Sequence, residues 1–323
     1  RIPAGTTGDP LEAGTAARIF TGAPVPEIAN AVVMQELCEQ QGNNVVIITI
    51  VKAGENVRRA GEDIARDAVV LNSGTRLRPQ DMGLLASVGV AQVNVYHKLK
   101  VATFFTGDEI VEPGNELASG QIYNSNQYTL AGLLQSVGCD VVNYGIVPDT
   151  LEATLAVMSE AASNADLVLT SGGVSVGEED YVRIALEQLG QLNMWRIAMK
   201  PGKPVAFGEI GDCLFMGLPG NPVSVFVTFL VFAKPLICKM QGISDYLSDW
   251  LSVKAGFDWK AGKRQEYLRV KYISDVDGAR LELFPHQGSG VLSSASWASG
   301  LAIAYIDKNI SEGDMVQYLP FSY

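Results

Sequence analysis

At 323 residues the chain is longer than a single hydrophobic core normally serves, so two or more domains are expected. Its composition, 47% apolar and 18% charged with 33 glycines, is that of a soluble globular protein. A formal charge of -11 argues against duplex nucleic acid or an anionic membrane as partner, since both reward clustered lysine and arginine. An anionic small molecule stays open, because a few local cations set the field inside a cleft.

The first residues, RIPAGTTGDP, lack an initiator methionine and read like the middle of a β-rich segment, so residues upstream are expected to be missing. Residues 1–67 are rich in glycine, proline and threonine, with short extended runs at Ala31–Met34 and Val45–Val51, and predict a small β domain. Residues 68–98 read as a connector or part of an elongated linker domain, in which Pro79 opens a helix over Gln80–Val88 and Ala91–Tyr96 looks extended. Across 99–243 strands and helices alternate. Strands are predicted at Val101–Phe105, Asp140–Ile146 and Leu167–Thr170, and helices at Asn126–Val137 (closed by Gly138), Leu151–Ser163 and Tyr181–Leu189. VAFGEI and CLFMG add two more buried strands. This rhythm predicts a mostly parallel α/β sheet covered on both faces.

The apolar stretch Val223–Ala233, interrupted by Lys234 and Pro235, is too short to span a bilayer and predicts a buried helix. Residues 244–323 alternate again, at Glu266–Ile273 and Ala279–Phe284 around an Asp277-Gly278 turn, which suggests a small C-terminal β barrel. Cys38, Cys139, Cys213 and Cys238 form no CxxC pair, and His97 and His286 are too few for a multi-histidine metal site. With no secretory signal in view, a reduced, cytoplasmic protein is expected.

Three glycine/proline turns carry the chemistry: TSGGVSVGEED (Thr170–Asp180), KPGKP (Lys200–Pro204) and LPGNPVS (Leu218–Ser224). In an open α/β sheet, loops at the carboxyl ends of neighbouring strands line one crevice, and ligands bind there. Gly172 and Gly177 have the spacing of a phosphate-binding loop, but Glu178 stands where that motif demands lysine. What remains is a strand, a glycine-rich turn with Ser171 and Ser175, and a helix, whose amides favour anions; a crossover needing glycine for backbone reasons alone would look the same. Asp180, Asp149 and Glu109 each follow a strand of this sheet, and oxygen ligands of that kind suit Mg²⁺. Lys200 and Lys203 flank one Pro-Gly turn, where a bound anion would relieve their repulsion. Asn221 and Pro222 are placed to cap and open a helix, with Gly220 allowing close approach.

Together with TGDE (Thr106–Glu109), IYNSN (Ile122–Asn126), HQGS, IFTGAPVP (Ile19–Pro26) and RRAGEDI (Arg58–Ile64), these motifs closely resemble the molybdopterin molybdenumtransferase family, the MoeA type homologous to the gephyrin E domain. The resemblance runs over essentially the whole chain. It implies the last step of molybdenum cofactor synthesis, in which molybdate attacks adenylated molybdopterin and AMP leaves with Mg²⁺ assistance. It also implies an elongated homodimer with an active cleft shared between subunits, and transient contact with the molybdopterin adenylyltransferase. By motif match the catalytic positions are Asp63, Glu109, Asp149, Asp180, Lys200 and Lys203, with Asp149 and Asp180 on the metal. Substrate-binding positions upstream are Thr21, Arg58, Gly107 and Asp108; those of the SGG loop are Ser171, Gly172, Gly173, Val174, Ser175 and Gly177. Further on come Pro204, Pro219, Gly220, Asn221, Pro222 and Ser224, then Arg269 and Ser289. The resemblance puts Lys200, Lys203, Arg269 and Ser289 on the molybdate side.

Two features depart from the family pattern. Its amino-terminal DNSAMDGYA motif has no match here, and Ile243–Ala261 aligns poorly. A molybdopterin adenylyltransferase shares the TGDE and SGG segments but would lack the flanking β-rich regions. A scaffold protein with a retained pterin pocket and no turnover is the alternative of another class.

Overall fold

The structure is a computed structural model of the chain that describes residues 1–173, 181–247, 249–276 and 278–321, together with the backbone but not the side chains of 194–196. The chain divides into two compact units, Arg1–Asn72 with Gly83–Leu85, and Ser73–Met82 with Ala86–Tyr323.

Turns dominate the first unit. Its ladder is one hairpin, β1 (Cys38–Gln41) against β2 (Asn44–Ile47), and Ile2 forms a single bridge to Ile19. The extended run expected at Ala31–Met34 makes isolated bonds rather than a ladder: Val32 N–H donates to Glu55 O at 2.8 Å, and Asn56 Nδ2 donates to Val32 O at 2.8 Å. Val45, Val46, Ile47, Ile48 and Ile50 are all exposed, so neither hairpin face packs on a core here.

Helix α1 (Pro79–Ser87) has residues in both units, and at its start Asp81 Oδ2 accepts from the Arg78 amide at 2.9 Å. The central sheet follows. In chain order its elements are β3 (Lys100–Thr106), a two-strand ribbon β4 (Ile110–Val111) and β5 (Ile122–Tyr123), α2 (Ser125–Ser136), β6 (Asp140–Val147), α3 (Leu151–Asn164), β7 (Leu167–Ser171) and α4 (Tyr181–Leu189). Then come β8 (Gln191–Arg196), the two-residue β9 (Met199–Lys200), β10 (Pro204–Ile210) and β11 (Cys213–Leu218). The sheet order is β6-β3-β7-β11-β10-β8; the first four strands are parallel and β10 runs antiparallel to both its neighbours. Each strand's alternation sorts it onto two cores. Val101, Leu167, Leu169 and Leu218 meet Leu130 and Leu134 of α2 on one face; Ala102, Phe104, Val168 and Phe215 meet Met158 of α3 and Leu186 of α4 on the other.

The predicted buried helix is longer than its apolar core: α5 (Pro222–Thr228), one π-helical turn at Phe229–Ala233, and α6 (Lys234–Met240) run on without a break. Pro235 has no amide to offer Val231, and the widened turn before it absorbs that loss. This segment is long and apolar enough to cross a membrane, and most of it is buried in the core.

The C-terminal region holds β12 (Leu251–Ala255), β13 (Gln265–Asp275), β14 (Gly278–Leu283), α7 (Leu292–Trp297), β15 (Gly300–Ala304) and β16 (Met315–Pro320). Pairing in the order β14-β12-β16-β15-β13, with β13 returning to β14, closes a five-strand barrel around Leu268, Val270, Leu281 and Ala302. Strand β9, from the lysine turn, adds to it in parallel with β13.

Candidate active site

Because β3, β6, β7 and β11 are parallel, their carboxyl ends share one edge, and the turns VPDT, TGDE, SGG and LPGN follow one another along it. Strand β10 runs the other way, so the KPGKP turn that precedes it lands on the same edge. Close approach locks these turns together. Gly202 lies where a β-carbon would come within 2.5 Å of Thr228 and 3.7 Å of Pro219. Gly172, at φ +99, has the carbonyl of Thr106 only 2.6 Å from where a β-carbon would stand.

Asn126, at the start of α2, ties the edge further. Its Nδ2 donates to Ser171 Oγ at 2.8 Å and to Gly220 O at 2.7 Å, while Ser171 Oγ donates to Pro219 O at 3.2 Å. One side chain thus fixes the spacing of the SGG and LPGN turns. It lies in the IYNSN segment but was absent from the predicted site, because nothing in a sequence shows that an amide 45 residues before Ser171 will reach it. Thr106 Oγ1, buried beneath Gly173, has no partner among the described residues. Asn126→Ala is expected to cost about 1–2 kcal/mol of stability. Urea unfolding measures it, and an unmoved midpoint would take this bridging role away.

Glu109 and Asp108 are exposed, with the Glu109 carboxylate folded back over Gly107. Asp149 is half-buried, one residue before the Thr150 cap of α3. Asn221 stands at the cap position of α5, but its side chain makes no capping bond; the Ser289 carbonyl accepts from Val223 N–H at 3.0 Å instead. Sequence alone missed that cap, because its donor and acceptor are 66 residues apart. Ser224 is buried within α5, while Pro204 and Pro222 are half-buried.

The two lysines take different roles. Lys200 Nζ donates to Glu266 Oε2 at 2.9 Å, so a carboxylate of the barrel, unforeseen from sequence, relieves their mutual repulsion without a bound anion. Lys203 is exposed. Arg269 is 1% exposed: Nε donates to Ser294 Oγ at 3.1 Å, Nη1 to Tyr267 O at 3.2 Å and Nη2 to Gly288 O at 3.1 Å. Burial pushes its guanidinium down to about 10, with Glu266 opposing the shift. Gln287 closes the arrangement through both backbone atoms of Arg269, so the residue braces the turn that carries Ser289.

Val174, Ser175, Gly177 and Asp180 lie outside the described residues. Thr21, Arg58 and Asp63 are exposed in the first unit. Among the described residues no group of three or more His, Cys, Asp or Glu side chains is placed to hold a metal. Asp149 is the described oxygen donor of the predicted Mg²⁺ pair, and its hard carboxylate suits that ion. Burial pushes the Cys139 thiol up to about 12 and that of Cys213 to about 11, which keeps both protonated near neutral pH.

Comparison with known proteins follows the same lines. Residues 102–239 match a family described as "Probable molybdopterin binding domain", residues 2–89 the "MoeA N-terminal region (domain I and II)" and residues 252–321 the "MoeA C-terminal region (domain IV)". The chain is 40% identical over 314 residues to the molybdopterin molybdenumtransferase of Haemophilus influenzae, covering 96% of this chain and 78% of that protein. The chain belongs to the molybdopterin molybdenumtransferase family. A further family member, from Nostoc, is 42% identical over 264 residues, which is 80% of this chain and 61% of that protein. Gephyrin of Dictyostelium discoideum is 36% identical over 254 residues, 70% of this chain and 35% of its own length. Among solved structures, the molybdopterin biosynthesis MoeA protein of Pyrococcus horikosii superposes with a TM-score of 0.77 at 31% identity, over 100% of this chain and 80% of that one. The α/β fold with its C-terminal barrel is therefore that of the family.

Proposed function

We propose that the chain is a molybdopterin molybdenumtransferase of molybdenum cofactor biosynthesis, inserting molybdate into adenylated molybdopterin with release of AMP. The observation that carries this reading is the shared edge: the SGG and LPGN turns, one half-buried carboxylate and the lysine turn lie along the carboxyl ends of four parallel strands. Lys203, Lys200 and the Ser289 turn would receive the oxyanion, and the turn amides the phosphate end of the pterin. Asp149 and Asp180 would hold Mg²⁺, which when bound neutralises charge on the phosphoanhydride. No general base is needed, since molybdate arrives as an anion. A cytoplasmic homodimer completes the reading; free cysteines and the exposed Val45–Ile50 run, an apolar surface suited to a partner subunit, support it. Thr21, Arg58 and Asp63 would then act in the partner's cleft, and hand-over from the molybdopterin adenylyltransferase would supply substrate.

The test adds molybdate to the purified protein with adenylated molybdopterin and follows AMP release against Mg²⁺, with the mass of the same preparation read by light scattering. Molybdate-dependent AMP release from a dimer is expected. Retention of the pterin nucleotide without turnover would favour a scaffold instead.

A further inference from the structure

The Lys200–Glu266 contact has the geometry of a built device rather than a surface ion pair. The Glu266 side chain is 7% exposed and that of Lys200 45%, so a buried carboxylate holds a half-exposed ammonium. Both backbones are pinned: Glu266 pairs with Lys200 on one side and with Ala304 on the other. Arg264 Nη1 donates to Met199 O at 3.1 Å, and Gln265 N–H to Ala198 O at 3.2 Å. The second carboxylate oxygen faces Gly262, where a β-carbon would stand 3.0 Å away, so the carboxylate occupies space that a side chain at 262 would crowd.

We propose that Glu266 sets the oxyanion affinity of the lysine turn, as a permanent counter-charge on Lys200; this rests on the reading that the turn receives molybdate. An ammonium has three N–H donors, and Glu266 takes one of them. Lys200 is thereby aimed, with two donors left for a tetrahedral oxyanion, while part of the attraction it could exert is cancelled. A substrate anion that must leave its site during reaction gains nothing from ground-state binding that is too tight. Glu266 acts through Lys200 and is a positioning residue.

Glu266→Gln keeps the shape and the acceptor for Lys200 but removes the charge. It is expected to tighten molybdate, tungstate and sulfate binding by about tenfold in calorimetric titration, a modest share of the unscreened Coulomb effect. A residue that merely held the fold would weaken binding when changed. Glu266→Asp, which draws the carboxylate back by one methylene, is expected to give a smaller gain in the same direction. In a Lys200→Met background, Glu266→Gln is expected to give a clearly smaller gain, since only the direct repulsion between Glu266 and the oxyanion is then removed. Unchanged or weaker oxyanion affinity in both Glu266 variants overturns the proposal. If Lys200→Met leaves molybdate affinity intact, the placement of molybdate on this turn falls, and the inference with it.

Discussion

Arg269→Ala is expected to lower the free energy of unfolding by about 3–5 kcal/mol, because each buried acceptor left without its donor costs about 1–3 kcal/mol. The side chain is buried on the outer face of the barrel, against α7, where it donates to two carbonyls and one hydroxyl that would each lose a donor. Loss of Nη2 also frees Gly288, and with it the Ser289 carbonyl that caps Val223 at the LPGN turn. The variant should therefore lose the ordered start of α5 as well as barrel stability. Urea unfolding followed by fluorescence measures the first effect, and amide exchange at Val223 the second. A variant of full stability that has lost molybdate affinity would contradict this assignment and make Arg269 a direct ligand.

Lys203→Ala is expected to weaken molybdate binding roughly ten- to a hundredfold, since a charge-assisted hydrogen bond contributes about 1.5–3 kcal/mol. Lys203 is exposed, so its removal leaves the fold alone. Affinity for the pterin nucleotide should hold, because the SGG turn that would carry it is reached from β7 and not from the lysine turn. Calorimetric titration with each ligand in turn separates the two. Molybdate affinity unchanged in this variant would remove the lysine turn from oxyanion binding.

The central sheet was legible because its signals are local. Periodicity and turn residues placed α4 at Tyr181–Leu189, and predicted strand Asp140–Ile146 became β6 with one residue added. Strand β8 was missed: QLNMWR has neither strict alternation nor a continuous apolar run, and its place depends on pairing with β10. The first unit was read as richer in strands than it is, because an extended backbone and a hydrogen-bonded ladder look alike in sequence. Val32 is extended yet bonds only to the segment near Glu55. At the candidate site, the turns could be recognised from glycine and proline, but their partners could not. The contacts Asn126–Gly220, Lys200–Glu266 and Arg269–Gly288 join residues 94, 66 and 19 positions apart. Such pairings follow from topology and leave no periodic trace.

The two-residue strand β9 has a mechanical meaning. It hydrogen-bonds as an outer strand of the barrel, while the turn that continues from it enters β10 of the central sheet. The backbone of the lysine turn is therefore stitched to two sheets at once, with only residues 201–203 between the two strands. A hinge between barrel and sheet would have to shear that stitch, so the two move as one piece where the lysines sit. Truncating the chain before β13 would accordingly do more than shorten it: the turn would lose its second anchor, and the first lysine its carboxylate, even with the whole α/β sheet left in place.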